Sequence, residues 1–309
     1  MSDDLARPGM NKFLVLVAIL TTLLSSLACS IDLGNGNSAE ELSLKQTAVV
    51  LQQTQTALEN ATLPQDQPTD EPTQQADVPV AQPNVVYEGI SFSFDPNIAQ
   101  SVNMAIIPGQ NMGEDYMPGE TYPTYFEFTF NNYAVADHFH TPKIIVYPVN
   151  EYCAISAYAS ERIDSLQLAL INHPAGGVIS DLPFLPMWPA AQIFSVQVGY
   201  FDFQNGSGVR YLTMYGQAIY PVDNQNLFYT YQGLTNDGRF YISAVLPVVH
   251  LGLPDDGSTQ MEDDYMAFEA NWETYINDTV NWLNAQDPRS FVPGIDLLDA
   301  MMASFKVER

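Results

Sequence analysis

The chain has 309 residues, of which 36 are Asp or Glu and 10 are Lys or Arg, so its formal net charge at pH 7 is −26. Its 46% content of hydrophobic residues is enough for a sizeable core, which excludes a wholly disordered chain. The acidic balance without a basic stripe predicts no nucleic-acid partner, and 2 Cys are too few for a disulfide scaffold or a four-cysteine zinc site.

An apolar run near the N-terminus has the size of the central region of a signal peptide. It covers residues 13–24 and contains no charged side chain. A helix of this length rises about 18 Å, which is less than the roughly 30 Å of a hydrocarbon core. If translation begins at Met10 rather than Met1, only three residues precede the run, and Lys12 is the one charged residue among them. This start is closer to the basic N-terminal region of a signal peptide. The pattern predicts a signal peptide over residues 1–28.

The segment after the run ends in Ser26, Leu27, Ala28 and Cys29. It resembles the lipobox of bacterial lipoproteins, in which a small residue precedes a cysteine that is diacylated and becomes the mature N-terminus. Ala28 and Cys29 fit this pattern, whereas Ser26 and Leu27 reverse its usual order. The resemblance implies lipidation of Cys29 and stable anchoring at the extracytoplasmic face of the cell membrane. The alternatives are a plain cleaved signal peptide, a secreted chain with a Cys29–Cys153 disulfide, and a retained membrane anchor.

Residues 29–61 and 62–85 have the compositions of a stalk and a spacer. Ser38 and Glu41 form a capping box at the start of a predicted helix that runs to about residue 60. Its two heptads, rich in Gln and Thr, favour a stalk helix over an oligomerisation zipper. Residues 62–85 are rich in Pro, Gln, Thr and Asp, which predicts a disordered linker.

Residues 86–309 are predicted to form one globular domain. Alternating and β-branched runs predict early strands at 87–94, 104–107, 125–130 and 143–147. Asn150 is expected to cap a helix whose apolar stripe extends to Leu170. A Pro-rich loop at 182–189 follows this helix.

The second half of the domain carries the clearest pattern, which predicts an antiparallel meander. Four runs rich in Tyr, Phe and Val lie at about 191–203, 208–220, 226–234 and 238–247. The Asn-Gly and Asp-Gly turns between them supply the positive φ angles of tight hairpins. Two helices, at about 262–283 and 295–302, and a short final segment follow. The first helix is predicted to bury a stripe that consists of Tyr265, Phe268, Trp272, Ile276, Thr279 and Leu283. The predicted fold class is α+β, with an antiparallel sheet that contains this four-stranded meander and packs against amphipathic helices.

Two segments carry a second resemblance. Residues 89–96 and 297–307 look like the first strand and the terminal helix-plus-strand of PsbP-like α/β/α sandwiches. The resemblance covers these two segments alone. It implies no catalytic residue, because members of that fold are mostly binding and assembly proteins.

One cluster, formed by Asp137, His138 and His140, has the character of a metal site. On a strand, alternate residues project to the same side, so the two imidazoles would be able to share a metal ion. Two histidines do not close a site, and His173 and His250 are distant in sequence. Ordinary loop histidines are therefore the favoured interpretation, and the domain is predicted to need no metal or cofactor to fold.

Acidic and aromatic side chains offer two further candidate sites. The carboxylates at 255–256 and 262–264 would bind calcium at most weakly, and a solvated loop and helix start are the favoured interpretation. The tyrosines of the meander suggest either a face for a glycan or peptide, or a sheet that helices cover on both faces, which is favoured. These tyrosines are Tyr211, Tyr215, Tyr229, Tyr231 and Tyr241.

The sequence contains no nucleophile elbow, P-loop, dinucleotide fingerprint or zinc-protease motif. We therefore predict a surface-exposed, lipid-anchored bacterial protein that acts as a non-catalytic binding or envelope-assembly module. Its partner besides the membrane would be an envelope protein, a glycan or a small molecule. The alternatives are a purely structural component and an extracytoplasmic hydrolase that uses carboxylates or the His138/His140 pair. A pocket that joins these histidines to acidic groups would favour the enzyme, and a concave Tyr/Trp face without them would favour binding.

Overall fold

The computed structural model of the chain describes residues 82–113, 118–178, 181–257 and 265–309. All of them belong to one compact unit, Val78–Arg309. The predicted signal peptide, Cys29, the stalk helix and nearly all of the predicted linker lie outside the described residues. Within the described ranges, no helix is long and apolar enough to cross a membrane.

The described ranges contain four α-helices and thirteen β-strands. The helices are α1 (Val149–Ile155), α2 (Ala157–Asn172), α3 (Tyr265–Asn284) and α4 (Ile295–Ala303). The strands before α2 are β1 (Val85–Tyr87), β2 (Ile90–Phe92), β3 (Ser101–Ile107), β4 (Tyr125–Asn131) and β5 (Lys143–Pro148). The later strands are β6 (Gly177–Val178), β7 (Ala191–Phe203), β8 (Gly206–Gly216), β9 (Phe228–Thr235), β10 (Phe240–Pro247), β11 (Val249–His250), β12 (Phe291–Val292) and β13 (Lys306–Val307).

The centre of the fold is an eight-stranded antiparallel sheet with the order β3-β4-β5-β10-β9-β8-β7-β6. Strands β7 to β10 are neighbours in chain order and in space, so they form the predicted meander. Their bounds differ from the predicted ones by a few residues, because the aromatic runs continue into the turns. The prediction of a mixed α+β fold built on a large antiparallel sheet is confirmed.

Side chains alternate between two buried faces of this sheet. Leu212 of β8 belongs to the core that includes α3 and α4, whereas its neighbour Tyr211 belongs to the core that includes α1 and α2. Tyr229, Tyr231 and Tyr241 are, like Tyr211, completely buried. Helices thus pack on both faces of the sheet, which agrees with the favoured interpretation for these four of the five tyrosines.

The prediction of one helix capped by Asn150 is wrong. Ser156 has extended backbone angles (φ −142°, ψ 109°) and separates α1 from α2. Its hydroxyl accepts a hydrogen bond from the backbone N–H of Ala159, so Ser156 is the cap of α2. Pro148 occupies the cap position of α1 without a side-chain hydrogen bond. The apolar spacing continues across the break, so periodicity alone did not reveal it.

The two ends of the domain also depart from the prediction in detail. The strand predicted at 87–94 is a hairpin, because Glu88 and Gly89 have positive φ angles (51° and 76°) and separate β1 from β2. Strand β2 then pairs with β13, so the two segments of the PsbP-like resemblance lie side by side. In α3 the predicted stripe holds at Ile276 and Leu283, which are buried, but Tyr265 at its start is exposed.

Candidate functional site

A groove of ≈ 720 Å³ opens on the sheet face that carries α1 and α2. Its floor comes from strand side chains such as Tyr215 of β8 and Val245 of β10, and its walls come from two loops. One wall is the Pro-rich loop, which contributes Trp188. The other is the segment before β5, which contributes Phe139 and His140. The groove therefore lies where loops, rather than helices, cover the sheet.

Hydrogen bonds fix the Pro-rich loop to the sheet beneath it. The hydroxyl of Tyr211 donates to the carbonyl of Pro183 at 2.9 Å. The backbone N–H of Leu185 donates to Gln232 at 3.1 Å, and its carbonyl accepts from the hydroxyl of Ser243. These contacts hold the loop in one position, so the indole that follows is held as well.

Gln232 is the centre of this attachment and is completely buried. Its amide donates to the hydroxyls of Thr230 and Ser243 at 2.7 and 3.0 Å. Its oxygen accepts from Leu185 and from the hydroxyl of Tyr241 at 2.6 Å. Both donors and both acceptor positions of the amide are therefore used, and a fully satisfied buried network specifies one arrangement of the loop.

Trp188 is the main aromatic wall of the groove. The ring of His140 stacks on it, with centroids 4.6 Å apart and planes inclined by 8°. Tyr215 and Phe184 meet it edge to face, at 5.2 and 4.7 Å. Offset and edge-to-face aromatic contacts are the favourable geometries, so the indole is fixed on several sides and presents its remaining surface to the groove.

The segment that contains His138 and His140 is a loop, so the premise that both lie on a strand is wrong. Asp137 has a left-handed backbone (φ 54°) that turns the chain at this point. Nε2 of His138 donates to the carbonyl of Leu227 at 2.9 Å, and Nδ1 accepts from the N–H of His140 at 3.0 Å. His138 therefore has a hydrogen-bond partner at each of its two ring nitrogens.

The predicted metal residues Asp137, His138 and His140 lie together, with the two imidazole centroids 5.5 Å apart. Both ring nitrogens of His138 are hydrogen-bonded, which leaves no lone pair for a metal ion. No group of three or more His, Cys, Asp or Glu side chains with the geometry of a metal site occurs in the part of the chain that the structure describes. His173 stacks on Tyr200 and His250 contacts Trp282, so both are engaged with other parts of the fold.

The groove has a single charged side chain, Lys143, in its described lining. Neither Asp nor Glu occurs among its described lining residues. Its one cation, Lys143, donates to Glu127 at 3.1 Å. Burial lowers the pKa of His140 from 6.5 to about 3, so this imidazole is uncharged at neutral pH. Burial also raises the pKa of Tyr215 well above 10, which keeps its hydroxyl protonated.

A second cavity of ≈ 290 Å³ adjoins the groove and shares Tyr215 with it. Arg162 lines this cavity and donates to Asp181 at 2.7 Å and to Glu161 at 3.0 Å. Its Nε atom is buried and has no hydrogen-bond partner within the described residues. The two cavities lie next to each other and have Ala190 and Tyr215 in common.

Among the aromatic side chains of this groove, the sequence analysis names Tyr215 as a candidate site residue but not Phe139, Trp188 or Tyr220. One signal was present, namely an indole inside a loop so rich in Pro that it cannot form a helix. The pairing of that loop with the segment before β5 depends on long-range contacts, which no local pattern encodes.

Comparison with known proteins adds no relative, since no family model, curated protein or solved structure matches the chain. The lipoprotein and PsbP-like resemblances therefore rest on the residues that suggested them. The function has to be argued from the groove and from the pattern of the N-terminal segment.

Proposed function

We propose that the protein is a lipid-anchored binding module of a bacterial cell surface, and that the groove beside Trp188 is its ligand site. The lipobox-like segment supports acylation of Cys29 and attachment to the extracytoplasmic face of the cell membrane. The observation that carries the binding role is the groove itself. It combines aromatic walls on loops fixed by hydrogen bonds with a lining that, among the described residues, contains no carboxylate.

The geometry of the groove favours ligand binding because the site is formed before any ligand arrives. Its volume of ≈ 720 Å³ lies within the range of about 300–1,000 Å³ that is usual for small-molecule sites. Such sites are mostly apolar, with a few polar groups that fix orientation. Since Gln232 holds the Pro-rich loop in place, little conformational entropy is lost when a ligand binds.

The same geometry argues against the hydrolase alternative. Hydrolysis by paired carboxylates requires two acidic side chains that flank the substrate, and the described groove lining has none. A histidine base needs a free nitrogen and a pKa near the working pH. His138 uses both nitrogens in hydrogen bonds, and the pKa of His140 is about 3. The groove therefore matches the concave Tyr/Trp face without such groups that the sequence analysis associated with binding.

The proposed arrangement of the whole chain suits a receptor for an external ligand. A stalk helix over residues 29–61 and a linker over 62–85 would separate the domain from the membrane. At about 3.1 Å per residue, a fully extended Pro-rich linker of this length spans up to about 75 Å. The domain would then reach ligands beyond the layer next to the membrane.

Binding in the groove is tested by a fluorine-detected NMR screen of a fragment library against the full chain in a non-glycosidic detergent. We expect fragments that bind the wild type, that lose at least tenfold in affinity with Trp188→Ala, and that still bind Leu251→Ala. Leu251 is 99% exposed and lies outside the groove, which makes it the matched control. If no fragment loses affinity with Trp188→Ala, the proposal that the groove is a ligand site is refuted.

A further inference from the structure

Phe139 is a large apolar side chain that is exposed to solvent. It is 74% exposed and lies at the mouth of the groove. Its backbone N–H donates to the carbonyl of Gln225 at 3.0 Å, and the adjacent His138 is fixed through both ring nitrogens. A rigidly positioned, exposed aromatic ring is typical of a ligand contact, because it presents flat apolar area at low cost in entropy.

The rim of the groove carries amide and hydroxyl groups. Gln217 donates to the carbonyl of Pro189 at 2.8 Å, and Asn226 donates to Asp223 at 2.9 Å. Each of these amides also has a carbonyl oxygen that can accept a hydrogen bond, and Thr141 adds a hydroxyl group. The rim thus offers donors and acceptors side by side, a set that suits a ligand with hydroxyl groups.

Charge narrows the class of ligand further. In a chain of net charge −26 the described lining of the groove contains no carboxylate, so it offers no ion-pair partner to a cation. An anion would have to compete with Glu127 for Lys143. An uncharged ligand needs no ion-pair partner in the groove, so no free energy is lost in burying an unpaired charge.

We infer that the ligand is a neutral saccharide, with a sugar ring stacked on Phe139 and its hydroxyl groups hydrogen-bonded to Gln217 and Asn226. This inference rests on the proposed function. A pyranose ring has apolar C–H faces and equatorial hydroxyl groups that donate and accept, which matches a flat ring above an amide rim. A fatty acyl chain would make no hydrogen bond with the side-chain oxygens of these two amides. A peptide bound as an added strand would need a free strand edge, whereas β8 and β10 below the groove are paired on both sides.

The adjoining cavity offers room for a second sugar unit. It shares Tyr215 with the groove and is lined by Gln192, whose amide donates to the hydroxyls of Tyr211 and Tyr215 at 3.4 and 3.3 Å. Its two charged side chains, Arg162 and Asp181, pair with each other at 2.7 Å. Aromatic rings and amides therefore recur in this cavity. We expect affinity to rise with chain length from a monosaccharide to a tetrasaccharide or longer.

The probe is an array of neutral and acidic oligosaccharides, applied to the full chain in a non-glycosidic detergent and followed by calorimetry on the array hits. We expect at least one neutral oligosaccharide to bind with a dissociation constant below 1 mM, on the order of typical weak protein–ligand affinities. Phe139→Ala should weaken binding at least tenfold. Phe139→Leu keeps apolar area without the flat ring and should weaken it at least threefold, while Leu251→Ala leaves it unchanged. Both positions, Phe139 and Leu251, are exposed, and unchanged melting temperatures of the three variants show that the fold is intact.

The outcomes separate this inference from the proposed function. Binding of acidic glycans alone, or neutral binding that Phe139→Leu does not weaken, overturns the saccharide assignment. If no glycan binds while fragments still bind in a Trp188-dependent manner, the groove is a ligand site for another class and only the inference fails. If neither glycans nor fragments bind, both fail.

Discussion

Replacing Gln232 with Ala should detach the Pro-rich loop from the sheet at a high cost in stability. The substitution removes the acceptor of two buried donors, the N–H of Leu185 and the hydroxyl of Tyr241, both of which are completely buried. Thr230 and Ser243 keep partners, because their hydroxyls still donate to the carbonyls of Ala244 and Leu185. Each buried group left without a partner costs about 1–3 kcal/mol, so we expect a loss of about 2–6 kcal/mol in the free energy of unfolding.

The loss is measured by urea denaturation of residues 78–309, with Gln167→Ala on the exposed side of α2 as the matched control. That control should change the free energy of unfolding by no more than about 0.5 kcal/mol. Gln232→Met fills the same space and should still lose more than about 1 kcal/mol, which separates unpaired donors from an empty cavity. A loss below about 1 kcal/mol for Gln232→Ala would refute the claim that this network holds the loop.

Four further predictions concern the anchor, the domain boundary, metal dependence and pH. Metabolic labelling with a palmitate analogue should mark the wild type and Cys153→Ser but not Cys29→Ser; equal labelling of all three excludes lipidation at Cys29. Limited proteolysis should release a resistant fragment that begins near Val86, and protection of residues 62–83 would show a packed spacer instead. Extensive EDTA treatment at constant ionic strength should shift the melting temperature by only a few degrees, on the order of weak ligand effects, and collapse of the fold would revive the His138 metal hypothesis. Because the pKa of His140 falls from 6.5 to about 3 on folding, the unfolded chain takes up this proton first as pH falls. The free energy of unfolding should therefore drop between pH 6.5 and 5. The drop should be larger in the wild type than in His140→Phe by up to about 2 kcal/mol. An equal dependence of the free energy of unfolding on pH in the two proteins would contradict the lowered pKa of His140.

The sequence predicted those parts of the fold that local patterns determine. Alternation and Asn-Gly or Asp-Gly turns locate the strands of the meander to within a few residues, since they define both strand and hairpin. The break at Ser156 was missed because the residues on either side keep one apolar stripe. The prediction that Tyr265 lies in a buried stripe is wrong, because the aromatic side chains in the first turns of α3 are exposed or only partly covered.

The candidate site was predictable only in its general character. From the sequence, an aromatic face without catalytic groups was associated with ligand binding. Tyr215 was identified as one of the tyrosines of the meander. The sequence did not identify Trp188 or Phe139 as partners across a groove. Their proximity arises because Gln232, within β9, attaches a loop that lies 47 residues earlier in the chain at Leu185. Such contacts depend on the register of the completed sheet, which is not visible in any short segment.

The most direct test of a non-catalytic ligand groove is a crystal structure of residues 78–309 soaked with the oligosaccharide or fragment that shows the strongest Trp188-dependent binding. We predict electron density for an intact ligand between Phe139 and Trp188, with the Pro-rich loop unmoved. Density for the ligand elsewhere on the domain, or for a cleaved product in the groove, would contradict the account.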